Sequence, residues 1–141
     1  WFQQGGKATV MSYLPKATAY ERAIMQPKEH IPIEHLDWLR QRPYWYEDDK
    51  YFYVHAGVLP EVSLEEHKKG DEYLQNEMIW IRDIFINSDF DWGKKIIFGH
   101  TAVSEPFVMW NKIGIDTMPR DIGFLTAVEL LAEKFYMQEA F

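Results

Sequence analysis

Two histidines follow two apolar segments of the sequence, at points where a strand would end. His55 ends the segment YFYVH, and His100 ends the segment KIIFGH. Aromatic and β-branched side chains favour strands, and loops after strands of a rigid sheet are common places for binding residues. Imidazole is a common metal ligand, and the nearby Gly57 and Gly99 allow tight turns around an ion. The pattern predicts a shared metal site, and the alternative is that two half-exposed histidines occur here by coincidence.

The other three histidines have different surroundings. His30 and His35 are too far apart in sequence to share a helical face, and His67 lies in the charged segment EEHKKG. Charged segments of this kind are mostly exposed to solvent. We therefore predict that all three histidines are surface residues.

Arg82 interrupts the apolar segment IWIRDIF. Arginine is rarely buried without a partner, and its planar guanidinium suits a phosphate group. The alternative is a salt bridge to Asp83 or to another acid at the edge of the core. If Arg82 binds phosphate, its apolar neighbours should pack inward and hold the guanidinium at the wall of a cleft. These neighbours are Trp80, Ile81, Ile84 and Phe85.

Composition excludes several classes of protein. The 141 residues are 47% hydrophobic, which is enough for the core of one domain. The absence of cysteine excludes disulfide scaffolds and thiolate metal sites, and we expect a reducing, cytoplasmic compartment. The net charge of −7 and the lack of a basic run argue against nucleic-acid binding. No apolar stretch approaches the roughly 18 residues that a membrane span needs.

The element pattern predicts a mixed α and β fold. Helices are predicted at 7–11, at 33–39 before Pro43 and after Ser63, and residues 16–27 are predicted to form a short helix or a mobile segment. The apolar run at 76–88 is ambiguous between helix and strand, and we favour a helix. An antiparallel hairpin is predicted around a polar turn at 47–50. Further strands are predicted at 94–98, 112–116 and 124–130, and the tail after Leu130 either extends the last strand or turns helical.

Motifs along the whole chain resemble one family. WFQQGGKATVMSY matches the pattern W-x-x-x-G-G-x-x-T-x-x-S-Y, and it is followed in order by IPIEHLDWLRQRPYWYEDDKYFYVHAGVLP, MIWIRDIF, IIFGHTAV and IGIDT with LTAVEL. In these motifs the chain is similar to the C-terminal part of bacterial and phage-type serine/threonine protein phosphatases. These enzymes belong to the calcineurin-like metallophosphoesterases, whose fold is a β-sandwich flanked by helices.

The resemblance implies a site with two divalent metal ions, commonly manganese, with iron or zinc as alternatives. It implies that His55 binds one ion, that His100 binds the other, and that Arg82 grips the substrate phosphate. The implied substrate is a phosphoprotein or a small phosphoester, and no nucleic acid or membrane partner is implied. Hydrolysis by a metal-bound hydroxide agrees with the general chemistry of two-metal sites.

The sequence departs from the family in two respects. The N-terminal motifs D-x-H, G-D-x-x-D-R-G and G-N-H-E, which carry the other ligands and the catalytic histidine, do not occur in it. The chain also lacks an initiator methionine, so we expect it to be the C-terminal portion of a longer domain and to be inactive alone. In addition, Met118 and Pro119 replace flexible residues of a turn that is usually glycine-rich, and Gly123 remains.

Two other functions stay open at this point. One is hydrolysis of dinucleoside polyphosphates by a related branch with the same site, and the other is a non-catalytic remnant or interaction module. Because the family's sheets use further N-terminal strands, we also expect uncovered sheet edges and apolar surface. Such edges favour self-association.

Overall fold

The computed structural model describes residues 6–13, 31–118 and 123–139 of the chain, and the predicted segment at 16–27 and His30 lie outside them. The chain divides into two units, Trp1–Arg42 and Pro43–Phe141. The fold is mixed α and β, as predicted, with a five-stranded mixed sheet and a few short helices. No helix within the described ranges has the length and apolar character needed to cross a bilayer.

The described residues of the first unit form two short helices, both of which the sequence predicted. Helix α1 is Gly6–Ser12 and helix α2 is Ile33–Arg40. The Tyr13 hydroxyl contacts Nδ1 of His35 at 2.9 Å. His35 is exposed, which confirms its predicted surface position.

The second unit is built on the five-stranded sheet, whose order is β1-β2-β3-β5-β4. The strands are β1 Trp45–Glu47, β2 Tyr51–Val54, β3 Lys95–Phe98, β4 Phe107–Val108 and β5 Lys112–Gly114. The central strands β2, β3 and β5 are parallel, and the edge strands β1 and β4 pair antiparallel with their neighbours. The carboxyl ends of the three central strands therefore lie along one edge of the sheet.

The hairpin between β1 and β2 forms as predicted. Its polar turn is fixed by Asp48, whose Oδ1 accepts hydrogen bonds from the backbone N–H groups of Lys50 and Tyr51, both at 2.8 Å. Such an aspartate replaces the missing backbone partners of a tight turn. The turn thereby sets the register in which Trp45 pairs with Val54.

Three helices connect β2 to β3. Helix α3 is Leu64–Lys68, α4 is Glu72–Trp80 and α5 is Asp83–Ile86. Ser63 and Glu66 form a capping box at the start of α3, in agreement with the predicted cap. The apolar run at 76–88 is helical as predicted, but it is broken at residues 81 and 82, so that α4 and α5 are separate helices.

The core of this unit lies between the sheet and these helices. Phe52 and Ile96 from the sheet are fully buried, as are Met78 from α4 and Phe85 from α5. Lys112 is also buried, and its ammonium group donates hydrogen bonds to the carbonyls of Phe85 and Ser88. Burial lowers the pKa of Lys112 to about 8. This lysine thus adds a second donor to carbonyls at and just after the end of α5, which also accept from the Ser88 N–H and from Asn111 Nδ2.

The last two strands form a separate hairpin. Strand β6 is Phe124–Glu129 and β7 is Lys134–Glu139, paired antiparallel. The prediction for the tail after Leu130 was wrong, because the chain neither continues the strand nor turns helical but reverses at residues 130–133. The turn is held to the main sheet where the Tyr51 hydroxyl donates to the Leu130 carbonyl at 3.0 Å.

Candidate functional site

His55 and His100 meet at the carboxyl edge of the parallel sheet. His55 directly follows β2, and His100 follows β3 after Gly99. Because these two strands are parallel neighbours, their ends deliver both imidazoles to the same place. Nε2 of His55 lies 3.1 Å from Nδ1 of His100, and the ring centroids are 4.9 Å apart. The predicted juxtaposition of the two histidines is confirmed, and their metal-binding role stays a prediction.

The backbone around the pair is closely fixed. The Gly99 N–H donates to the His55 carbonyl at 2.8 Å, which ties the two strand ends together. His100 has a φ of +64°, in the left-handed region that costs a non-glycine residue free energy. Strained residues of this kind are concentrated at functional sites.

The environment of His100 favours its neutral form. Burial lowers the pKa of His100, the charge of Arg82 and the neighbouring His55 lower it further, and the nearby Asp116 opposes them. Neutral imidazole is the form that binds metal ions. The indole of Trp80 packs edge-on against the His100 ring, with centroids 5.7 Å apart. Nε2 of His100 is buried and has no hydrogen-bond partner within the described residues. The backbone of Trp80 acts against the lowering of the His100 pKa.

Arg82 contacts the same histidine. Its Nη1 donates to the His100 carbonyl at 2.9 Å, and the side-chain hydrogen bond found for it in the described residues runs there and not to Asp83. Arg82 itself is exposed to solvent, so its other N–H groups can reach a ligand. A phosphate-binding role for Arg82 stays a prediction.

The packing predicted around Arg82 was partly wrong. Ile81 and Phe85 are buried as predicted, but Trp80 is 47% exposed and Ile84 is 61% exposed. The helix break explains the difference. Since Arg82 separates two short helices, the residues on either side of it do not share one inward face.

His67 contradicts the predicted surface position, because it is fully buried. Its Nε2 accepts a hydrogen bond from the Leu59 N–H at 3.0 Å, so Nδ1 carries the proton and donates to the Ser63 carbonyl at 2.9 Å. Burial lowers the pKa of His67. A signal was present in the sequence, since Leu64 and His67 are three residues apart and share the buried face of α3. His67 therefore has a structural role, because from α3 it holds the loop that follows His55 in place.

Asp116 is a candidate site residue that the sequence interpretation missed. It lies two residues after β5, the third parallel strand of this sheet edge, and its charge acts on His100. The signal was the same as for the histidines, namely a polar residue at the end of an apolar strand, here in KIGID. No group of three or more histidine, cysteine or acidic side chains arranged to hold a metal ion occurs within residues 6–13, 31–118 and 123–139.

Comparison of the chain with models of known protein families gives no match, and comparison with curated proteins gives none either.

Proposed function

We propose that this chain forms part of a metal-dependent phosphomonoesterase that dephosphorylates phosphoserine or phosphothreonine in proteins. The observation that carries the proposal is the 3.1 Å separation of His55 Nε2 and His100 Nδ1, beside an arginine bound to the His100 carbonyl. The motifs that resemble the phosphatase family contain these three residues. We place the activity in the cytoplasm, in keeping with a chain that has no cysteine.

The two histidines fit a divalent metal ion. Nitrogen lone pairs that face each other at 3.1 Å repel unless a proton or a cation lies between them. For zinc, two metal–nitrogen bonds of about 2.0–2.1 Å hold their nitrogens about 3.4 Å apart at the tetrahedral angle and about 2.9 Å apart at a right angle. The observed separation lies between these values. We therefore propose that both histidines bind the same ion, instead of one ion each as the resemblance implies.

The proposed chemistry needs both the cation and Arg82. A bound divalent ion, with manganese the first candidate and iron or zinc the alternatives, would polarise phosphoryl oxygens and lower the pKa of a coordinated water. The Arg82 guanidinium donates one N–H to the His100 carbonyl, and its other N–H groups can bind two phosphate oxygens. Asp116 adds negative charge near His100 that would help to retain a cation.

Two histidines and one nearby acid do not complete a two-metal site. The proposal therefore assigns the remaining ligands to residues other than those described, in the N-terminal motifs of the family. We accordingly expect the 141-residue chain alone to show no meaningful phosphatase turnover. Robust metal-dependent hydrolysis of p-nitrophenyl phosphate by the pure chain would contradict this expectation.

A metal titration of the 141-residue chain tests the proposed metal site. With increasing Mn²⁺, the imidazole resonances of His55 and His100 should broaden in NMR spectra before those of the exposed His35, because Mn²⁺ is paramagnetic. His55→Ala and His100→Ala should each abolish this selective broadening, whereas the control His35→Ala should leave it unchanged. Equal broadening of all exposed histidines and acids would contradict a specific site.

Kinetics of the protein made from the complete reading frame test the role of Arg82. Arg82→Lys should lower kcat/KM for a phosphoserine peptide about 10- to 100-fold, because lysine cannot offer two parallel donors to phosphate. Metal content should not change. The control is Arg40→Lys, since Arg40 forms an exposed ion pair with Asp37 in the first unit, and this variant should keep full activity. A strong preference for diadenosine tetraphosphate over the peptide would instead favour the polyphosphate hydrolase.

A further inference from the structure

An open groove lies beside Arg82 in the second unit. Residues 59–61 line it together with Asp83 and Ile84 of α5 and the two residues after α5, and its volume is about 740 Å³. Asp83 begins α5 and directly follows Arg82, whose guanidinium contacts the His100 carbonyl. One lining residue of the groove is therefore the immediate chain neighbour of the candidate phosphate-binding arginine.

The groove combines negative charge with apolar surface. Glu61 and Asp83 both line it, and among the residues that the structure describes no lysine or arginine does. The ion pairs found among the described residues include neither carboxylate. The apolar residues of the lining are Leu59, Pro60 and Ile84, whose side chain is 61% exposed. This surface is complementary to a ligand with basic groups on an apolar stem.

Both sides of the groove are fixed by hydrogen bonds to the core. The Leu59 N–H donates to the buried His67 at 3.0 Å, and the Leu59 carbonyl accepts from Trp92 Nε1 at 3.3 Å. On the other side, the Ser88 carbonyl accepts from Asn111 Nδ2 and from the buried Lys112. A groove with such fixed sides is already formed before a ligand binds, so little ordering entropy opposes binding.

We propose that this groove binds basic residues that flank the phosphorylated residue of a protein substrate. The proposal rests on the proposed phosphatase function and adds a substrate class, namely phosphopeptides with lysine or arginine beside the phosphoserine or phosphothreonine. The long apolar stem of arginine or lysine would cover Ile84 while its charged end reaches Glu61 or Asp83. A bare metal ion would leave the apolar part of the groove without a contact.

Binding of four labelled peptides to the 141-residue chain with Mn²⁺ tests the proposal by fluorescence anisotropy. Two peptides carry phosphoserine beside two arginines or beside two glutamines, and the other two carry serine in the same contexts. The arginine phosphopeptide should bind more tightly than the glutamine phosphopeptide. Glu61→Gln and Asp83→Asn should each reduce this preference about two- to fivefold, and the reduction should shrink at high salt.

The matched control separates the groove from the general negative charge of the protein. Glu139→Gln removes one carboxylate from β7, outside the residues that line the groove, and should change the arginine preference less than either groove variant. Equal effects of all three variants would overturn the proposal. Loss of Mn²⁺ binding in Glu61→Gln or Asp83→Asn, without a change in the arginine preference, would also overturn it, since the carboxylates would then bind the cation.

The phosphate comparison tests the proposed function independently. If affinity does not depend on the phosphoryl group but the arginine preference still requires Glu61 and Asp83, the proposed phosphate recognition by Arg82 fails and basic-peptide binding by the groove stands. If phosphate strengthens binding and the groove variants have no effect, the groove proposal fails and the phosphatase function stands.

Discussion

The conformation of His100 shows how much a single residue contributes to the candidate site. Its φ of +64° costs roughly 1–2 kcal/mol relative to a residue in the ordinary helical region. Histidine tolerates this region better than most residues, and the hydrogen bond from Arg82 to its carbonyl holds the peptide in place. The free energy spent at this position is consistent with a requirement that the imidazole face His55.

His67 gives a prediction about pH at the same scale. Because burial lowers the pKa of folded His67 below its usual value, the unfolded chain takes up a proton where the folded chain does not. The stability contributed by the neutral ring is therefore fully present above about pH 6.5 and is lost as pH falls below it. The slope should reach at most about 1.4 kcal/mol per pH unit.

Urea unfolding at pH 7.5 and pH 5.5 measures this effect. His67→Gln removes the titrating group and leaves the other four histidines in place, so the wild-type protein should lose more stability on acidification than the variant does. The same loss in both proteins would show that His67 does not carry the pH dependence.

At the scale of elements, the loop after β2 is fitted to helix α5 through Gly57. A Cβ atom at Gly57 would overlap Cδ1 of Phe85, which is fully buried. Gly57→Ala should destabilise the fold by about 1–3 kcal/mol, because either the ring or the loop has to move. Gly93 is the comparison, since its φ of +78° is left-handed and nothing lies near its Cβ position, so that Gly93→Ala adds left-handed strain without overlap.

Chemical denaturation measures the unfolding free energy that each of the two variants loses. Gly93→Ala should cost only about 1 kcal/mol, the strain of a left-handed alanine, and Gly57→Ala should cost clearly more. Equal losses of unfolding free energy would mean that the Phe85 contact does not restrict position 57.

Elements with a local physical cause could be predicted from the sequence. The β1–β2 hairpin, the Ser63 cap and strand β3 are set by a polar turn, a capping box and a short apolar run, all of which are visible within a few residues. The break at Arg82 was not predicted, because an apolar run does not reveal whether its helix is continuous. The reversal after Leu130 was also missed, since its turn is fixed by a distant contact from Tyr51.

At the scale of the whole molecule, the pairing of His55 with His100 could be predicted, but the surroundings of the pair could not. Parallel neighbouring strands bring their ends together, and the sequence showed a histidine at each end. The contribution of Asp116 and the outward position of Trp80 depend on how β5 and α4 are placed around that edge. Those placements are long-range properties that no local pattern encodes.

Apolar surface remains uncovered over the second unit, as predicted. Tyr46 on the edge strand β1 is 66% exposed, Val108 on the edge strand β4 is 47% exposed, and Leu125 on β6 is 67% exposed. Unpaired edges with apolar side chains are favourable places for another strand or chain to add. Self-association through these edges stays a prediction.

The parallel pairing of β2 with β3 also has a consequence for the order of events in folding. His55 and His100 are 45 residues apart, and three helices lie between their strands. The β1–β2 hairpin closes over a short loop, whereas the β2–β3 pairing has to close a much longer one, and contacts of that range form slowly. The two imidazoles therefore come together late, after the intervening helices have brought their strands together, and the metal site proposed for them would be completed only at that stage of refolding.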